Sequence, residues 1–160
     1  MSQIVIIGVC QWPGGLIKGE GRATVVTASE RALHEQVMAG FADTDVPPLQ
    51  HVQVDVELHD GDTLDDWGQP VHVLHVPGHT RGSIALHLPS SGVLFPGDIV
   101  ATAGGRAILG PFNVAREQAI TSFRTLAALE VETLWVPHGE PVANGADALL
   151  KAAAPEKDWV

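Results

Sequence analysis

Three apolar runs in this chain end in the same way. Val71 to Val76 stops at Pro77-Gly78 and delivers His79-Thr80-Arg81-Gly82-Ser83. Val93 to Phe95 stops at Pro96-Gly97 and delivers Asp98, and Leu134 to Val136 stops at Pro137 and delivers His138-Gly139-Glu140. Proline lacks the N–H that a strand ladder needs, and glycine accepts turns closed to other residues, so each run ends abruptly. Strand-end loops are where a rigid scaffold presents functional groups. The pattern therefore asks for a fold that brings these loops to one edge of a sheet.

The rest of the chain is read around these runs. Gln3 to Val9 is a continuous β-branched run expected to form a buried strand, closed by Cys10 to Gly15. Arg22 to Thr27 reads as a second strand, and Ser29 as the N-cap of a helix reaching about Ala39. Val52, Val54, Val56 and Leu58 alternate with polar residues, the period of a half-buried strand. Further strands are expected at Val71–Val76, Ser83–Leu88, Val93–Phe95 and Leu134–Val136. Ala101 to Pro111 reads as an irregular Gly-rich stretch. Asn113 is the expected cap of a long helix, Val114 to Leu129, with Ala119, Phe123, Leu126 and Leu129 on one face. A short helix is expected near Ala146 to Ala153. The mixed order of strands and helices fits α/β or α+β layering better than all-β. At 160 residues there is room for one domain, residues 1–160.

Two neutral imidazoles and a carboxylate form an N₂O donor set suited to zinc, manganese or iron. With an open position such a set activates water, which is hydrolytic chemistry.

His79-Thr80-Arg81-Gly82-Ser83 after a strand, the Leu94-Phe95-Pro96-Gly97-Asp98 turn and His138-Gly139-Glu140-Pro141 near the end resemble the metallo-β-lactamase-fold hydrolases. The resemblance runs from about Gly14 to Ala152, with the motifs in the family's order. It implies an αββα sandwich of two mixed sheets with helices outside. It also implies that His79 and His138 each bind a metal and that Asp98 bridges. The reaction class it implies is hydrolysis of an ester, thioester or lactone bond.

The chain departs from the family at its main signature, His-x-His-x-Asp-His, which precedes a Gly-Gly pair. Counted back from Gly14-Gly15, those ligand positions fall on Ile7, Val9, Gln11 and Trp12. No His-x-His occurs in the chain. The resemblance thus extends to about the C-terminal three-quarters of the family domain, and the fold is expected to lack early N-terminal strands. At most one zinc, manganese or iron per chain is then expected, shared by His79, Asp98 and His138. The alternative is a degenerate member with no metal, acting as a binding or assembly partner. Cys10 lies inside the erased motif as a candidate thiolate, although a free cysteine is more often a small buried hydrophobe.

Other polar residues read as structural. Thr80 and Ser83 are expected to fix the His79 loop by local hydrogen bonds. His72 and His75 point to opposite faces of one strand and cannot join one site. His34, His51, His59 and His87 are expected at the surface. Gly104-Gly105-Arg106 reads as a flexible loop.

The charge narrows the partners. Nine Lys+Arg against nineteen Asp+Glu leave a formal charge of −10, which disfavours nucleic acid and anionic lipid. There is no Tyr to build a base-stacking platform. One cysteine excludes an intrachain disulfide framework. No apolar stretch reaches the ~20 residues that span a bilayer, and the opening residues lack a signal peptide's basic start. The expectation is a cytoplasmic protein with a small-molecule substrate. A homodimer, or another chain covering the sheet edge, would complete it.

Overall fold

The computed structural model describes residues 56–157 and, ahead of them, the helical positions 31, 32, 35, 36 and 39. Those five positions agree with the helix expected from Ser29 to about Ala39. The expected strands at Gln3–Val9 and Arg22–Thr27, together with Ile7, Val9, Cys10, Gln11, Trp12, His34 and His51, lie outside the described residues.

Seven strands and two numbered helices follow. They are β1 (Thr63–Leu64), β2 (Val71–His75), β3 (Ile84–Leu88), β4 (Val93–Phe95), β5 (Val100–Ala103), β6 (Arg106–Leu109), α1 (Arg116–Ala127), β7 (Thr133–Leu134) and α2 (Ala146–Ala152). The first sheet runs β1-β2-β3-β4-β7. Its first four strands pair antiparallel, and β7 joins β4 in parallel. A parallel neighbour needs a crossover, which here carries β5, β6 and α1. The second sheet is the β5-β6 hairpin.

Alternation sorts the side chains of the first sheet. Val71, Val73, Leu86 and Leu88 bury one face together with Leu58, Leu64, Ile84 and Val93. The opposite face carries the larger core. There Val76, Ala85 and Leu94 meet Val100, Ala107 and Leu109 of the hairpin, Phe123 and Leu126 of α1, and Leu150 of α2. The helices and the hairpin thus cover the same face.

Four expectations need correction. Residues 101–111 are not irregular, because Gly104 and Gly105 both take positive φ (56° and 74°) and close a two-residue hairpin turn. Such a turn matches the right-handed twist of the strands it joins. Asn113 does not cap the long helix. Its Nδ2 donates to the Gly110 carbonyl at 2.7 Å, and the helix begins after Ala115 without a side-chain cap. His87 is buried, with its Nε2 3.3 Å from the Glu130 carbonyl. Of the strand expected on Val52, Val54, Val56 and Leu58, Val56 to Leu58 is not strand, and Val52 and Val54 lie outside the described residues. His59, by contrast, is exposed as expected.

Candidate metal centre

The loop after β2 is held from three sides. Thr80 N–H donates to Ser83 Oγ at 3.0 Å, and the two hydroxyls lie 2.9 Å apart, the local bonding expected of that pair. Val114 and Ala115, just ahead of α1, donate their N–H groups to the carbonyls of His79 and Gly78 at 3.2 and 2.9 Å. Ser122 Oγ donates to the Pro77 carbonyl at 2.7 Å. Gly78 is required here, because a Cβ at that position would sit 2.2 Å from the backbone N of Ala119.

His79 emerges buried from this loop. Its Nδ1 lies 3.2 Å from the Pro111 carbonyl, which fixes the proton on Nδ1 and leaves the Nε2 lone pair free. Burial pushes the imidazole below its ordinary pKa, against the opposing pull of the Asp98 carboxylate and the Pro111 carbonyl, while His138 adds to the depression. His79 is therefore neutral at pH 7, the form that ligates a metal.

Asp98 sits on the 3₁₀ turn Gly97–Ile99, the link between β4 of the first sheet and β5 of the second. Gly110 packs on its backbone so closely that a Cβ there would lie 1.9 Å from the Asp98 carbonyl oxygen. His138 follows β7, and Thr102 of β5 straps its loop. Thr102 N–H donates to the His138 carbonyl at 3.1 Å, and Thr102 Oγ1 donates to the Glu140 carbonyl at 2.7 Å. Gly139 (φ 97°) passes beneath Thr102, where a Cβ would clash with its carbonyl.

The three expected residues meet at Asp98. His79 Nε2 is 3.7 Å from Asp98 Oδ2, and His138 Nε2 is 3.2 Å from Asp98 Oδ1. Zinc–ligand bonds of ~2.0–2.2 Å put two tetrahedral ligands roughly 3.4 Å apart, and the two separations straddle that value. Asp98 Oδ1 is buried and accepts no hydrogen bond from the described residues. A bare carboxylate oxygen is costly without a compensating donor or cation. Each imidazole faces a different oxygen, however, and among the described residues no group of three or more His, Cys, Asp or Glu side chains is disposed to hold one ion. The donor chemistry fits a divalent metal, while the donor count at any one point falls short.

His72 and His75 stay out of this cluster. His72 stacks edge-on with His87, ring centroids 6.4 Å apart, and His75 Nε2 lies 2.8 Å from the Arg81 carbonyl. Sequence reasoning missed Pro111 and Thr102. Pro111 acts through its backbone, which leaves no side-chain signature, and Thr102 lay inside the stretch read as irregular.

Residues 13–155 match the family model described as the Metallo-beta-lactamase superfamily. The chain belongs to this superfamily. Its fold agrees with that of an archaeal superfamily protein from Sulfolobus tokodaii, at TM-score 0.54 and 18% identity, over 79% of this chain and 51% of that one. Among curated superfamily relatives, the hydroxyacylglutathione hydrolase of Fuscovulum blasticum is 40% identical over 90 residues, 56% of this chain and 32% of that protein. The acyl-coenzyme A thioesterase MBLAC2 of Bos taurus is 44% identical over 52 residues, 32% of this chain and 19% of that protein. The chain thus spans about a third or less of the length of these superfamily members.

Proposed function

We propose that this superfamily chain hydrolyses a thioester with the help of a divalent metal, zinc being the first candidate, at a site to which His79, Asp98 and His138 contribute donors but which the described residues do not complete. The observation that carries the reading is the buried Asp98 Oδ1, which accepts no hydrogen bond from the described residues and lies 3.2 Å from the ring of His138. Beside a neutral imidazole, a divalent cation would satisfy such an oxygen. The names of two similar proteins, a hydroxyacylglutathione hydrolase and an acyl-coenzyme A thioesterase, both describe thioester cleavage and support that bond type.

In the reaction, water adds its oxygen to the thioester carbonyl carbon, the C–S bond breaks, and the products are a carboxylic acid and a thiol. A bound divalent ion supplies Lewis-acid chemistry, polarising a carbonyl and acidifying water. The chain's own part is positioning. Pro111 holds His79 by Nδ1 so that Nε2 faces Asp98. Thr102 holds the loop of His138, whose side chain is 60% exposed and so faces the solvent from which substrate arrives. Asp98 joins the two.

A second reading is a binding or assembly partner without catalytic metal. The side chains at Ile7, Val9, Gln11 and Trp12, none a good ligand, favour it. Elemental analysis of untagged protein purified without chelator separates the two. The hydrolase reading expects about one zinc, manganese or iron per chain, and expects His79→Ala and His138→Ala to lower metal content and thioesterase activity together. Metal-free protein after reconstitution with zinc, or loading that ignores both substitutions, would overturn it.

A further inference from the structure

A cleft of about 420 Å³ opens beside the strap that holds His138. Its size lies within the ~300–1,000 Å³ usual for small-molecule sites. Thr102 and Glu140, which are bonded to each other through the strap, form one wall. Ala103, Pro141, Val142, Ala143 and Leu149 supply apolar surface. Among the described lining residues, the remaining polar side chain is that of Asn144. The hairpin tip, Gly104-Gly105, closes one end, and Arg106 is not among the walls.

The chemistry of these walls selects a ligand. Among the described lining residues Glu140 is the one charged side chain, and none is basic. A ligand carboxylate placed here meets a like charge, with no cation among the described walls to offset it. A plain hydrocarbon chain covers the polar groups of Glu140 and Asn144 without pairing them, which is also unfavourable. A neutral arm containing amides avoids both costs, because its N–H suits the Glu140 carboxylate, its C=O suits the Asn144 amide, and its methylenes suit the apolar walls.

We propose that this cleft is the subsite for the thiol side of the scissile thioester, and that it takes an uncharged, amide-bearing thiol arm in preference to one carrying carboxylates. The assignment of the thiol side rests on the thioester reading above. The preference for a neutral amide arm rests on the cleft alone.

The test uses two product thiols on the full chain under reducing conditions, with affinities from calorimetry. Pantetheine is a neutral diamide thiol, whereas glutathione carries two carboxylates and one ammonium. The expected result is that pantetheine binds at least roughly tenfold more tightly than glutathione. Ala143→Trp, which fills the cleft, should abolish pantetheine binding, and Glu140→Lys should narrow or reverse the ratio. Should circular dichroism show that Ala143→Trp does not fold, the exposed Glu140→Lys decides. Glutathione binding as tight as pantetheine, no binding of either thiol, or a ratio unmoved by Glu140→Lys would overturn the proposal. Hydrolysis of an acyl-pantetheine thioester, measured separately, reads the catalytic assignment. Binding without hydrolysis removes the hydrolase reading and leaves the cleft preference standing, while hydrolysis without the binding preference does the reverse.

Discussion

His87 and Gly110 show how much single positions decide here. His87 is a histidine on a core-facing strand position, and burial lowers its pKa below the ordinary 6.5, opposed by the Glu130 carbonyl and reinforced by His72. Below about pH 6.5 the unfolded chain takes up a proton that folded His87 resists. Its contribution is therefore complete above that pH and is lost as pH falls toward the lowered folded value. Thermal midpoints between pH 7.5 and 5.5 should fall more steeply for the native chain than for His87→Gln. Equal slopes would mean that His87 titrates normally. Gly110→Ala places a methyl group 1.9 Å from the Asp98 carbonyl oxygen. Urea unfolding should show a loss of ~1–3 kcal/mol, the usual cost of overpacking. The same change should weaken zinc binding, because the backbone that must move carries Asp98.

At the scale of elements, the hairpin is the part that couples fold to site. Thr102 lies on β5, next to the strand's exposed end, and spends its backbone N–H and its hydroxyl on the His138 loop. Thr102→Val keeps the shape and the backbone bond but removes the hydroxyl bond. It should cost ~0.5–1.5 kcal/mol of stability and reduce zinc affinity, read by competition with a chelating dye. A stability loss with unchanged affinity would make Thr102 merely structural. The elements legible in the sequence were those with clean punctuation. β2, β3 and β4 combine apolar runs with Pro-Gly or Pro-Ser ends, and the face of α1 followed from Ala119, Phe123 and Leu126. The hairpin was not legible, because Gly104-Gly105 within small residues looks like slack chain unless its φ values are known. Asn113 misled for a related reason, since its side chain closes the turn before the helix and leaves the helix start uncapped. His79, Asp98 and His138 were legible as loop residues, and the split of Asp98's two oxygens between two imidazoles was not, because spacing carries no information on which oxygen faces which ring.

Across the whole molecule, charge and surface set the range of partners. The formal charge of −10 opposes polyanions. The chain should pass unretained through heparin at physiological salt and should leave the mobility of short duplex DNA unchanged; retention that falls with added salt would reveal a basic face the net charge conceals. Among the described residues no helix is long and apolar enough to cross a membrane. Trp135 and Phe95 stand exposed at the ends of neighbouring parallel strands, and association through them would appear in light scattering as a mass above 16.9 kDa.

The β5-β6 hairpin has a buried base and a bare tip. Ile99, Val100 and Leu109 at the base are fully enclosed, whereas Ala103 to Arg106 are exposed. The base sets the position of Asp98, and the tip borders the cleft. A change of residue or length at the tip would reshape what the cleft admits while leaving the carboxylate where it stands. On the thioester reading proposed above, selectivity and chemistry would then be separable, and new substrates could be sampled at the tip without first rebuilding the centre.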